Sequence, residues 1–252
     1  MNLFSVSGKR ALVVGGTRGI GRAIAWRLAQ AEARVIANYV RDEQSATALA
    51  DEARQAGLSL DVVRADVTNA KGIEHVIDAA AHAPEPLSIM VFAAATGVHK
   101  SLEQLTTRHW DWTFGLNARA FFELVQRLSP RMPSGSSIVA ISSEGAVRAV
   151  PHYSLVGASK GALESLTRHM AAELAPKGIR VNVLSPGTVL TDAWKVLPDA
   201  EARLAEASRK SFLGRLTTME EVAWAAQFLC SDAASGLVGH TLVVDGGART
   251  RG

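Results

Sequence analysis

The sequence predicts a single doubly wound α/β domain, with a seven-stranded parallel sheet and helices on both faces. Three observations carry this. Short apolar runs alternate with longer amphipathic stretches along the whole chain. The apolar runs are nearly continuous rather than alternating with period two, as expected for strands buried on both faces. A glycine-rich turn joins the first run directly to the first amphipathic stretch. The chain has 252 residues, 48% of them hydrophobic, which suits one core and one domain over 1–252.

Strands are expected at ALVV (11–14), RVIAN (34–38), LDVVR (60–64), SIMVFA (88–93), SIVAIS (137–142), IRVNVL (179–184) and TLVV (241–244). Helices are expected near 20–31, 43–56, 69–82, 106–129, 153–175, 199–211 and 219–230. Alternation at these lengths means a parallel sheet covered on both sides. No repeat, low-complexity segment or linker divides the chain.

Composition excludes several function classes. The net charge is only +3, and the basic residues are spread out rather than gathered into a nucleic-acid arm, so no nucleic-acid partner is expected. No uncharged run reaches the ~18 residues of a spanning helix, and no secretory leader opens the chain, so no membrane partner is expected. The single cysteine, Cys230, cannot build a disulfide framework and fits a reducing compartment, the cytoplasm. Its flanks, FLCSD, read as a helix end and a buried structural thiol. No metal site is expected.

In VVGGTRGIGRAIA the fixed points are Gly15, Gly19 and Gly21, with Thr17, Arg18 and Ile20 between them. Glycine permits positive φ and lets the backbone approach a pyrophosphate closely. The following helix N-terminus offers free N–H groups and partial positive charge to phosphates. Placed between a first strand and a helix, the turn predicts dinucleotide binding in a Rossmann-type domain. An acid usually ends the second strand of an NAD site. Here Asn38 stands there, Arg41 follows, and Arg18 sits in the glycine loop. Two guanidinium groups and no carboxylate suit a 2′-phosphate, so NADPH is the expected cofactor. The alternatives are that either arginine is a solvated loop residue, or that Asp42 pairs with Arg41.

The glycine spacing is GxxxGxG, and the chain resembles the short-chain dehydrogenase/reductase superfamily from end to end. Val14 stands where the family often has threonine. By this resemblance Asp66 and Val67 border the adenine; alternatively Asp66 caps the next helix, a role open also to Thr68 or Asn69. The fourth strand ends VFAAATG where relatives carry Asn-Asn-Ala-Gly, so Phe92 and Ala93 replace two amides. Small Ala93 still lets backbone pass close to the cofactor. In LSPGTVLTDAW, the resemblance implies that Pro186 and Gly187 form a turn, Val189 meets the carboxamide and Thr191 meets a phosphate. The last strand implies a homotetramer.

Ser142 and Ser143 end the fifth strand, where ligands of open α/β sheets bind. The resemblance implies that Ser143, seventeen residues before Lys160, is the catalytic serine. It also implies that Asn117 holds a water near the lysine, and that Lys160 holds the nicotinamide ribose. The family's tyrosine lies four residues before its lysine, but here that residue is Val156. Tyr153 lies seven before. Seven residues fall ~20° short of two helical turns, so on one helix the pair shares a face, ~10 Å apart along the axis. Pro151 would suit the first turn of such a helix. A retreated acid fits conjugate reduction, where hydride goes to a β-carbon and charge appears further on, at a thioester oxygen. This resembles the NADPH-dependent type III enoyl-acyl-carrier-protein reductases. HWDWT, SSEGAVR, the Tyr-x6-Lys helix, ALESLTRHMAAEL and TDAWK carry the likeness. It implies an acyl thioester substrate, with Tyr153 stabilising the enolate and a role in fatty-acid biosynthesis. Two alternatives stay open: Ser143 and Tyr153 are set for carbonyl reduction, or Tyr153 merely packs in a non-catalytic NADP-binding protein. Residues 190–215 are expected to form a substrate lid. In it Trp194, Leu197, Leu204 and Phe212 either line a pocket or pack the lid helix. Arg203, Arg209, Lys210 and Arg215 either attract an acidic acyl carrier protein or form a solvated face.

Overall fold

The computed structural model describes residues 2–82, 84–191 and 200–250. Seven parallel strands form one sheet in the order β3-β2-β1-β4-β5-β6-β7. They are β1 (Arg10–Val14), β2 (Arg34–Tyr39), β3 (Leu60–Arg64), β4 (Leu87–Phe92), β5 (Ser137–Ile141), β6 (Arg180–Pro186) and β7 (Thr241–Val244). The helices between them are α1 (Gly19–Gln30), α2 (Glu43–Gln55), α3 (Ala70–Ala81), α4 (Thr107–Phe114), α5 (Phe121–Leu128), α6 (Ser154–Leu174), α7 (Ala200–Lys210) and α8 (Met219–Cys230).

Strand residues alternate between two cores. Leu12, Val14, Met90 and Phe92 pack with α3, α5 and α6 residues such as Ile73, Phe121 and Leu163. Val13, Val35, Val91 and Val139 pack on the opposite face with Ile24, Leu28, Val222 and Leu229. Burial of side chains of this size stabilises by about 1.5–3 kcal/mol each. Phe92 is fully buried and lies 5.4 Å from the Phe121 ring. An apolar residue there contributes packing, not a strand-anchoring hydrogen bond.

Two expectations are corrected. The helix expected over 106–129 is interrupted: a π-helical turn at Gly115–Ala120 separates α4 from α5. The helix expected from 153 begins at Ser154. Pro151 lies in a turn, His152 has φ of 60°, and Tyr153 is the N-cap residue at φ −118° and ψ 13°. The ~10 Å axial separation therefore does not apply, because Tyr153 is outside the helix that carries Lys160.

The sheet order reverses at β1. The chain leaves β1 toward β2 and β3, and β4 lies on its other side. Loops after β1 and β4 diverge there and open a crevice at the carboxyl ends of the strands, where ligands of such sheets bind.

Candidate active site

The crevice is built to admit backbone-close ligands. A Cβ on Gly15 would stand 2.8 Å from Ala94 Cα, and one on Gly21 would collide with the Gly15 carbonyl oxygen. Gly15 and Gly19 have φ of 75° and 52°, conformations that other residues adopt only with strain. The N-cap of α1, Arg18, provides no side-chain hydrogen bond, and the first turn holds no acid. The N–H groups of that turn are thus left for an anion. The Thr191 side chain reaches this end of α1, within 3.6 Å of where a Gly19 Cβ would be. Thr17 is buried, while Ile20, Gly187, Val189 and Thr191 line the cavity at the crevice.

At the end of β5, Ser143 Oγ and Tyr153 Oη lie 3.3 Å apart. Lys160 is buried, and its Nζ donates to the Ile141 carbonyl at 2.7 Å. Ser142 turns the other way and donates to Glu164 Oε1 at 2.6 Å. Val156, four residues before Lys160, is buried and wedged against Gly97, where a Cβ would collide with its Cγ2. Ser142, Ser143 and Tyr153 edge a cavity of about 870 Å³ that also includes His99, Glu144, Arg203 and Thr217.

A crevice with a bare-glycine floor, beside a Ser–Tyr pair and a buried lysine, is the layout of a nucleotide-dependent oxidoreductase. Comparison with known proteins agrees. Residues 14–249 match the family profile described as Enoyl-(Acyl carrier protein) reductase. The chain belongs to the short-chain dehydrogenase/reductase superfamily. It is 35% identical to a 1-cyclohexenylcarbonyl-CoA reductase of Streptomyces collinus over 242 residues, covering 94% of this chain and 85% of that protein. It is 31% identical to the hydroxynaphthalene reductase-like protein Arp2 of Metarhizium robertsii, covering 98% and 97%. Its fold matches the crystal structure of a gluconate 5-dehydrogenase from Burkholderia cenocepacia J2315 in complex with NADP and tartrate. The TM-score is 0.90 at 31% identity, over 99% of this chain and 98% of that one.

As a superfamily member the protein is an oxidoreductase using a nicotinamide cofactor. The glycine cradle and the open α1 terminus fit the pyrophosphate of such a cofactor. Other expected contacts fall differently. Asn38 is buried and its amide donates to the Ala65 carbonyl at 2.9 Å, so it ties β2 to β3 rather than presenting to a ribose. Asp42 caps α2, accepting from Ser45 N and Ser45 Oγ at 3.0 and 2.8 Å. Those bonds, more than nearby Arg18, hold its carboxyl below the usual range. Neither Arg18 nor Arg41 has an ion-pair partner among the described residues, and both are exposed. Asp66 closes a turn by accepting from Thr68 N and Oγ1, while Asn69 caps α3. The Val67 side chain belongs to the core, which leaves only its backbone for an adenine. Ala93 N donates to the Val14 carbonyl, holding the β4 end against the glycine loop.

The Asn117 side chain is a clamp within the protein. It accepts from Thr96 N, and donates to Thr96 O and Ser159 Oγ, all at 2.9 Å. Among the described residues it makes no hydrogen bond to Lys160.

Burial raises the Tyr153 phenol; the Ser143 bond lowers it and Glu144 raises it further. The phenol is therefore a neutral donor at ordinary pH. Burial pulls Lys160 down to about 8, against the support of the Glu164 charge. His99 was not foreseen. Its ring lies 5.2 Å from the Tyr153 ring, and burial, then Arg203 and His152, hold its imidazole below the ordinary value.

Within the expected lid, Trp194 and Leu197 lie outside the described residues. The α7 face toward the cavity is Arg203, Glu206, Ala207 and Lys210 rather than Leu204, and the Phe212 ring instead lies over Gly247. Lys210 pairs with Glu206 at 2.7 Å, and Arg215 is held by both carboxylate oxygens of Glu221. That basic stretch is thus partly neutralised by its own acids. Cys230 is buried with its thiol pushed up to about 12. Among the described residues no helix is long and apolar enough to cross a membrane, and no cluster of His, Cys, Asp and Glu could hold a metal.

Proposed function

We propose that this protein is an NADPH-dependent reductase of enoyl thioesters, with hydride going to the β-carbon. One observation carries the reading. Tyr153 is the phenol that reaches Ser143, while the position four before Lys160 is filled by Val156 packed on Gly97. The acid thus enters the site from outside the helix of the lysine. The Streptomyces collinus relative supports this, since its name denotes a C=C bond conjugated to a thioester. Exposed Arg18 and Arg41, with Asn38 and no acid at the end of β2, support NADPH.

Bound NADPH supplies the hydride. Tyr153, kept neutral by burial, donates a hydrogen bond to the thioester oxygen, where negative charge develops. Ser143 supports that oxygen or a water beside it. Lys160 would hold the ribose hydroxyls of the bound cofactor and add positive field while its ammonium is intact. The α-carbon of the enolate would then take a proton from water, completing the reduction. The thioester is carried by CoA or by an acidic acyl carrier protein, the part of the 190–215 segment from Ala200 on lies beside it, and the enzyme works in the cytoplasm as a homotetramer.

The test is NADPH oxidation with crotonyl against acetoacetyl thioesters. Turnover of the second alone would sink the enoyl reading. Carbonyl reduction is the second reading, favoured by the 3.3 Å Ser143–Tyr153 pair, which equally suits a ketone oxygen, and by the hydroxynaphthalene reductase-like relatives. Turnover of neither thioester nor of a wider carbonyl panel, with NADPH still bound, would identify a binding protein.

A further inference from the structure

We propose that Gly145 is a positioning residue for Tyr153: its missing side chain is the slot through which the phenol reaches Ser143. A Cβ on Gly145 would stand 2.5 Å from Tyr153 Cδ1 and would collide with Cε1. Gly145 is not among the glycines with positive φ, so backbone conformation does not require glycine there. Space for the ring does. Gly157 forms the second wall: a Cβ there would lie 2.6 Å from the Gly145 carbonyl oxygen and 3.5 Å from Tyr153 Cδ1. Its N–H donates to the Tyr153 carbonyl at 2.7 Å, which fixes the backbone below the ring. His152, in the left-handed region at φ 60°, turns the chain so that the ring folds back over the glycines. The His99 ring closes a third side. A tyrosine at the N-cap of α6 thereby reaches a serine that the helix alone would not bring to it.

The inference rests on the proposed reading only in that Tyr153 touches the substrate. In Gly145→Ala the ring must withdraw by about 1 Å to regain ordinary contact distance. A misplacement of that size is expected to lower kcat by about 10²-fold. NADPH affinity and melting temperature should stay near wild type. Adding Tyr153→Phe to Gly145→Ala should then cost little more, because both changes remove the same contact. Additive losses, or an unchanged kcat in a variant whose parent depends on Tyr153, overturn the proposal. The chain has two tyrosines, so 3-fluorotyrosine labelling gives two fluorine signals, assigned with Tyr153→Phe. The Tyr153 signal should move in Gly145→Ala and stay in Gly161→Ala, a control glycine on α6 that keeps its kcat. An unmoved signal overturns the proposal. If Tyr153→Phe alone retains full activity, the reading of Tyr153 fails, and the fluorine signal still decides the positioning. Should Gly145→Ala not fold, the wild type decides: a nuclear Overhauser contact between the Gly145 α-protons and the Tyr153 ring is expected, and its absence overturns the slot.

Discussion

Glu164→Gln isolates what one buried charge does for the lysine. Glu164 lies one turn beyond Lys160 on α6 and is 5% exposed. The two side chains hold adjacent residues at the end of β5, Glu164 through Ser142 and Lys160 through Ile141. Glutamine keeps an acceptor for Ser142 Oγ but removes the negative charge. Among the described residues, Glu164 is the charged group that supports the Lys160 ammonium against burial, and with it the pKa is about 8. Charges one helical turn apart, taken as about 6 Å, interact by about 3 kcal/mol at an effective dielectric of about 20, so losing one lowers Lys160 by up to about two pH units. The ammonium is the active form. Wild-type kcat/KM should therefore fall as pH rises through about 8, and the variant's alkaline limb should lie lower. A pH series of kcat/KM on both proteins measures this. A variant slowed equally at every pH, with its limb in the wild-type position, would refute the reasoning. The same shift has a stability consequence. Folded Lys160 loses its proton before the unfolded chain does, so its contribution to stability rises between about pH 8 and the ordinary value of 10.5.

Tyr153→Phe should lower enoyl turnover by about 10²–10³-fold, as loss of an oxyanion donor does, and Ser143→Ala should cost less. Equal collapse in steady-state kcat would argue for carbonyl chemistry. Arg18→Ala and Arg41→Ala should each weaken NADPH by about tenfold or more and leave NADH nearly unchanged, since a charged phosphate bond is worth about 1.5–3 kcal/mol. Titration of both cofactors checks this, and an unchanged NADPH-to-NADH ratio counts against the 2′-phosphate assignment. Folded Cys230 keeps its proton to about 12, while the unfolded thiol loses it near 9. Stability should thus fall above pH 9 by up to about 1.4 kcal/mol per pH unit from this group. Urea unfolding of Cys230→Ala over that range should lack this component of the slope.

The strands could be read from sequence because burial on both faces leaves continuous apolar runs, and β3 and β7 fall where those runs do. The π-helical turn was not legible, since the apolar period of α4 and α5 gives no sign of where one phase slips into the next. Tyr153 misled for a different reason. Pro151 is a good helix starter, yet His152 breaks the path and Ser154 begins the helix. The face of α7 depended on rotation about its axis, which Leu204 and the basic residues around it could not set. Glu164 carried a usable signal: it shares the buried face of α6 with Lys160, Leu163, Thr167 and Ala171, a place where an unexplained charge needs a reason. Gly145 carried none, because a glycine after a strand reads as an ordinary turn until the ring above it is seen.

The π-helical turn at Gly115–Ala120 gives this part of the protein a tolerance in chain length that a regular helix lacks. Its i→i+5 bonding accommodates one residue beyond an α-helical turn. Deleting one residue there would restore a continuous α-helix and leave α4 and α5 in their present phase, whereas a deletion within α5 itself would rotate everything after it by about 100°. Phe121, Leu124, Val125 and Leu128, which form the buried stripe of α5, would stay against the core. Asn117, inside the turn, would lose its place against Thr96 and Ser159. A single-residue gap in this turn should therefore cost the Asn117 clamp rather than the α5 core.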